Sequence, residues 1–191
     1  MSRAWIFILV IAVCRSLFGQ GTTDQDLARR LANDETRQAT VAEVVASGGA
    51  RVGLLLSWTQ TPPSHVKRDR LYVGLADVFG QLKTKEAIPF LIKNITLQRW
   101  LEANTWLKTA EVIEERLPAV AALARIGPEA SKALIRASWG PMTSEERLAT
   151  IFAVSRIKDP EARDFLVSAL AQANLEGIWA QQGLKVLGEN R

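Results

Sequence analysis

The sequence has one cysteine and one histidine, and these scarcities remove much of the chemistry that a folded chain of this size can offer. Cys14 lies in a segment expected to be cut away, so the remaining chain holds His65 and no thiol. A Cys–His nucleophile pair is then impossible, and a zinc site of the usual His/Cys kind cannot be assembled within one chain. His65 ends the turn Thr61-Pro62-Pro63-Ser64-His65, where it reads as a solvated loop histidine without the positioned partner that a general base needs. A glycine-rich phosphate loop is missing too, since the Gly48-Gly49 pair is too short to make one. The adjacent carboxylates Glu114-Glu115 and Glu145-Glu146 do not face each other on a helix; they read as a solvated face and a helix-start charge, respectively. No catalytic residue, metal ligand or cofactor is therefore expected, and the chain reads as a non-enzyme.

Membrane-length apolar runs are lacking as well. Trp5 to Cys14 is apolar for ten residues, about half of the ~20 that a spanning helix needs. That length fits the hydrophobic part of a secretory leader, with Arg3 as its positive start and Arg15 ending the run. Residues 1–21 are read as a signal peptide, cleaved after Gly21 or, with Leu17 a poorer fit, after Gly19. The expected location is periplasmic or secreted. Ile11-Ala12-Val13-Cys14 loosely resembles a lipobox, so lipoprotein anchoring at Cys14 is the alternative, although Val13 stands where a small residue belongs. Losing Arg3 and Arg15 takes the 24 basic residues to 22 against 20 acidic ones, a net charge of +2. The pI of about 9.5 therefore does not predict nucleic-acid binding.

What is present is helical patterning almost throughout residues 22–191. Leu71, Leu75, Val78, Phe79 and Leu82 share one helical face, as do Ala162, Phe165, Leu166, Ala169, Leu170 and Ala173. Strand-like alternation is nowhere sustained. A large apolar residue, a short polar turn, an alanine and an apolar residue four later recur as Val45/Ala50/Leu54, Leu82/Ala87/Leu91, Ile126/Ala130/Leu134 and Ile157/Ala162/Leu166. The alanines are 37, 43 and 32 residues apart, a period of helix-pair repeats. Thr84 and Asp159 are placed to cap the helices that follow, and Pro128 and Pro160 sit where a first-turn proline costs nothing. Trp106, Ala110, Ile113 and Leu117 predict one long helix from about Thr105, kinked near Glu114 by Pro118; separate helices meeting at Pro118 are the alternative.

Val78 to Leu91, Leu123 to Leu134 and Val154 to Leu166 resemble HEAT repeats of the short bilin-lyase type. The resemblance covers roughly residues 34 to 173, with Leu175 to Leu187 as a terminal helix. It implies an all-α, right-handed α-solenoid of about four helix pairs plus a C-terminal helix. The Asp and Arg ladder common in such repeats is reduced to Asp159 and Arg163, and Thr96 to Ala110 is extra sequence. The His-Glu pairs of iron-binding HEAT enzymes are lacking, and the cytoplasmic work of bilin lyases conflicts with the leader. Lys67, Arg68, Arg70, Lys83, Lys85 and Lys93 would be the basic stripe of a HEAT-like DNA glycosylase, but Asp69 and Glu86 interrupt it. A nucleic-acid-binding or glycosylase-like protein is thus the alternative to the main reading, a scaffold that binds another envelope or secreted protein or peptide.

Tryptophan is the most informative side chain left. Trp58 and Trp139 follow Ala50 and Ala130 by eight and nine residues, at matching helix ends. Trp100 follows the second helix of the second copy and Trp106 opens the extra segment, among Gln98, Arg99, Glu102 and Asn104. Two readings stand: each tryptophan, Trp179 included, plugs a seam between repeats, or they line one edge as binding anchors. The candidate partner-binding set is Trp58, Arg99, Trp100, Trp106 and Trp139.

Overall fold

The computed structural model describes residues 23–99, 110–170 and 175–188. Among these residues every regular element is helical. The α-helices are α1 Asp24–Ala32, α2 Arg37–Ala46, α3 Val52–Gln60, α4 Arg68–Leu82, α5 Ile88–Lys93, α6 Ala110–Arg116, α7 Pro118–Ile126, α8 Pro128–Ala137, α9 Ser144–Ser155, α10 Arg163–Leu170 and α11 Leu175–Val186. Short 3-10 turns, Lys85–Ala87 and Pro160–Ala162, lead into α5 and α10. None of the described helices is long and apolar enough to cross a membrane.

Local chemistry starts and stops these helices. Thr23 accepts a hydrogen bond from the Asp26 amide at 3.2 Å, and Asp24 and Asp26 face the positive end of α1. Thr143 and Glu146 form a reciprocal capping box at the start of α9, with bonds of 2.8 and 3.2 Å. Glu146 is thus the helix-start carboxylate that its position suggested. Asp159 accepts from the Glu161 amide at 3.1 Å, as its spacing predicted. Thr84 does not cap: its side chain makes no such bond, while its amide closes α4 onto the Phe79 carbonyl at 2.9 Å. Lys83, left-handed at φ 52°, makes that closure possible.

The long kinked helix is not formed. Leu117, at φ −109° and ψ 80°, separates α6 from α7, and Pro118 opens α7. Proline pushes its predecessor out of the helical region, which makes it a boundary here and not a bend. Thr105 and Trp106 lie outside the described residues.

The helices pack in a regular succession. Each of α1, α4, α7, α9 and α11 lies against the next in that series. Alongside, α5 packs on α8, and α8 on the turn before α10. The alanine pattern holds in the later copies, where Ala87, Ala130 and Ala162 are wholly buried along with Leu91, Leu134 and Leu166. The first copy departs from it: Ala50 is exposed, and Leu55 rather than Leu54 reaches the core. Gly48 and Gly49 explain the shift, since both are left-handed (φ 67° and 81°) and deliver α3 one residue out of register.

Small residues set the closest approaches in the main series. A methyl built on Gly74 would lie 2.6 Å from the Leu31 carbonyl oxygen of α1, and one on Gly80 2.7 Å from the Ala122 Cα of α7. On Gly183 of α11 it would lie 2.8 Å from the Ser155 Cα of α9. These contacts are backbone against backbone, so no side-chain rotation relieves them. Gly80→Ala should therefore cost about 1–3 kcal/mol in urea denaturation. Gly53→Ala, where nothing lies within 4 Å, should instead gain about 0.4–1 kcal/mol. A neutral Gly80→Ala would show that α4 and α7 do not meet this closely.

Candidate functional site

The predicted partner-binding residues are not gathered into one surface. Trp58 is only 6% exposed and belongs to the core, so it is unavailable to a partner. Its place on α3 turns it inward beside Leu55, and the edge expected to carry it is corrected accordingly. Trp179 is half-buried and meets Phe152 edge-on, with ring centroids 4.7 Å apart, in keeping with seam packing. Trp100 and Trp106 lie outside the described residues.

Trp139 is the opposite of Trp58: it is 81% exposed, so the seam-packing reading fails for it. Its backbone is nevertheless fixed. The Trp139 amide donates to the Arg136 carbonyl at 3.3 Å and the Gly140 amide to that of Ala137 at 3.0 Å, closing α8 in a tight turn before Pro141. The Ser138 hydroxyl adds a 2.6 Å bond to the Ile135 carbonyl. α8 meanwhile buries Ala130, Ser131 and Leu134. A hydrogen-bonded turn after the helix thus presents an exposed indole.

Arg99 is held inside a polar cluster. Its guanidinium Nη2 donates to both oxygens of Asp77, at 2.6 and 2.9 Å, and its amide to the Arg116 carbonyl at 2.8 Å. Arg116 in turn donates twice to Gln98 Oε1. Residues 98–99 are thereby tied to α4 on one side and to the end of α6 on the other. Arg37, almost wholly buried, donates to the Leu31 carbonyl at 3.1 Å and to Asp34 at 2.5 Å. A cleft of about 260 Å³ opens above these groups, lined by Asp34, Arg37, Lys67, Asp69, Arg70 and Arg99 among others.

The Asp77–Arg99 pair was legible only in hindsight. Asp77 is the single charge between Leu71 and Leu82, on a helix buried on several sides, and that isolation was the available signal. Glu114 was misread: it accepts from Arg156 at 2.5 Å and is not a freely solvated face. His65 is exposed, as expected, and its Nε2 lies 3.1 Å from the Gln25 carbonyl, to which it can donate. The basic stripe is broken up, with Lys85 paired to Glu129 and Arg70 turned towards Asp34. Among the described residues, no three His, Cys, Asp or Glu side chains come together as a metal would require.

A second, apolar groove of about 210 Å³ lies between α6, α9 and α11, floored by Ile113, Leu117, Leu148, Phe152 and Trp179. Its volume is below the ~300–1,000 Å³ of common small-molecule sites.

Burial pushes the Asp77 carboxyl above the ordinary aspartate range, and Arg99, Arg37 and Arg125 pull it only part of the way back. With the folded-state value raised, the contribution of this group to stability is full below the ordinary value and declines as the pH climbs through the raised one. Asp77→Asn removes that dependence. The stability of the variant relative to the parent should therefore rise with pH across this window in denaturant titrations. A difference that stays level or falls with rising pH would contradict the assignment.

No protein-family model, no curated protein and no solved structure matches this chain.

Proposed function

We propose that the chain is an exported, non-enzymatic binding protein: a short right-handed solenoid of HEAT-like helix pairs that docks another envelope or secreted protein. The observation that carries this reading is Trp139, an indole 81% exposed on a fixed helix end. Leaving so large an apolar surface in water forgoes roughly 1.5–3 kcal/mol of burial, which a partner can recover. Tryptophan is also the side chain most enriched among residues that dominate binding energy. The succession of α1, α4, α7, α9 and α11 supports the solenoid part of the reading, since helix pairs added one after another give extended surfaces suited to protein ligands. Export rests on the leader-like residues 1–21.

The test is capture of a partner from an envelope extract of the native source by the tagged, folded chain, repeated with two tryptophan variants. Trp139→Ala should leave stability within about 0.5 kcal/mol of the parent and abolish capture. Trp58→Ala should lose about 3–5 kcal/mol of stability through the cavity it opens. Capture that survives Trp139→Ala would reject the docking residue. Intact mass of the chain from its native source checks export: loss of residues 1–21 or 1–19 supports it, acylation at Cys14 would mark a lipoprotein, and an untrimmed chain would reject the leader.

A further inference from the structure

The cleft beside Arg99 has a surplus of donors. Four cationic side chains line it, Arg37, Lys67, Arg70 and Arg99, against two carboxylates, Asp34 and Asp69. The internal pairing uses these groups unevenly. Arg37 takes Asp34 at 2.5 Å, and Arg99 takes Asp77 beneath the cleft. Arg70 then reaches only an already occupied Asp34, at 3.9 Å. The Lys67 ammonium has no hydrogen bond or ion pair among the described residues, although its backbone carbonyl accepts from the Leu71 amide. The Arg99 Nε is buried without an acceptor, a state that costs about 1–3 kcal/mol when nothing relieves it. Helix α4 also begins here with no side-chain cap, because Lys67 at its N-cap is a donor. Asp69, exposed in the first turn of α4, is the one carboxylate left to oppose this excess.

We propose that this cleft binds the carboxylate of an acidic peptide segment, with Arg37 and Arg99 as its fixed floor and Lys67 and Arg70 as its closing arms. The division of labour follows from burial. The two floor guanidiniums are already ordered by the Leu31 carbonyl, Asp34 and Asp77, so little conformational entropy remains to be lost there. The two arms are exposed, and Arg70 is engaged only by its 3.9 Å contact with Asp34. The first cleft alone, about 260 Å³, is of a size to take one carboxylate side chain. A neighbouring cleft of about 490 Å³ shares Asp34, Lys67 and Arg70 with the first and adds Arg29 and Glu35, giving room for the chain that carries the carboxylate. The site is separate from Trp139 and does not depend on that residue's role.

The experiment is fluorescence anisotropy at low ionic strength with the full chain and a labelled peptide of alternating glutamate and glycine. Its glutamine counterpart is the uncharged control. The glutamate peptide should bind and the glutamine peptide should not. Replacing both arms, Lys67→Gln with Arg70→Gln, should weaken binding about tenfold, as expected for two exposed charges. Lys93→Gln, outside the cleft, and Trp139→Ala should both bind like the parent, and circular dichroism should show all variants folded. Equal binding of the two peptides, no binding at all, or a loss in Lys93→Gln or Trp139→Ala matching that of the double variant would each overturn the assignment.

Discussion

Two glycines on one helix determine how closely the chain packs. At Gly74 and Gly80 the backbone of α4 meets Leu31 of α1 and Ala122 of α7, with no room for a methyl group at either point. The two positions are six residues apart, which at 100° per residue puts them on different faces of the helix. α4 can therefore lie tightly against two neighbours at once, while Leu71, Leu75, Val78 and Phe79 fill the space around the crossings. Gly183 repeats the device where α11 reaches α9. Because dispersion falls off steeply with separation, a shift of even an ångström at these crossings would forfeit much of the packing on either side.

The same closeness makes the polar cluster necessary. A helix buried against several neighbours has little surface on which a charge can stay hydrated, so Asp77 is drawn into the interior. The answering charge comes from Arg99, 22 residues along the chain. Their pairing offsets part of the desolvation, and it also fixes residues 98–99 against α4 and so builds one wall of the cationic cleft. Trp139 follows from the opposite circumstance. α8 packs its small and apolar residues on α5, α7 and α9, then ends, and the residue after its cap is left 81% exposed.

The all-helical class was legible because helix periodicity depends on short-range spacing, and of the face Leu71/Leu75/Val78/Phe79/Leu82 all are buried except the half-buried Leu82. The alanine-leucine pattern marked real contacts at Ala87, Ala130 and Ala162. It misled at Ala50, where two left-handed glycines rotate the next helix and a template blind to turn conformation could not register that. Of the two readings of Pro118, a kinked helix or separate helices meeting there, the second holds; a proline can bend a helix or start one, and spacing alone does not choose. Surface residues were the least legible. Trp58 and Trp139 occupy matching positions in the pattern, yet one is core and the other solvent-facing, because their fate depends on which helices pass nearby. Asp77 showed itself only as a lone charge on an apolar helix, and its partner Arg99 was hidden because the contact spans 22 residues of chain.

Native-state hydrogen exchange is the measurement that most directly tests whether α4 is the element on which the fold depends. Amides of α4 and of the facing part of α7 should exchange only through global unfolding, with the largest protection in the chain and the same free energy for both helices. Exchange of α4 through local opening, at a free energy well below that of α7, would contradict the dependence of the fold on the Gly74 and Gly80 crossings.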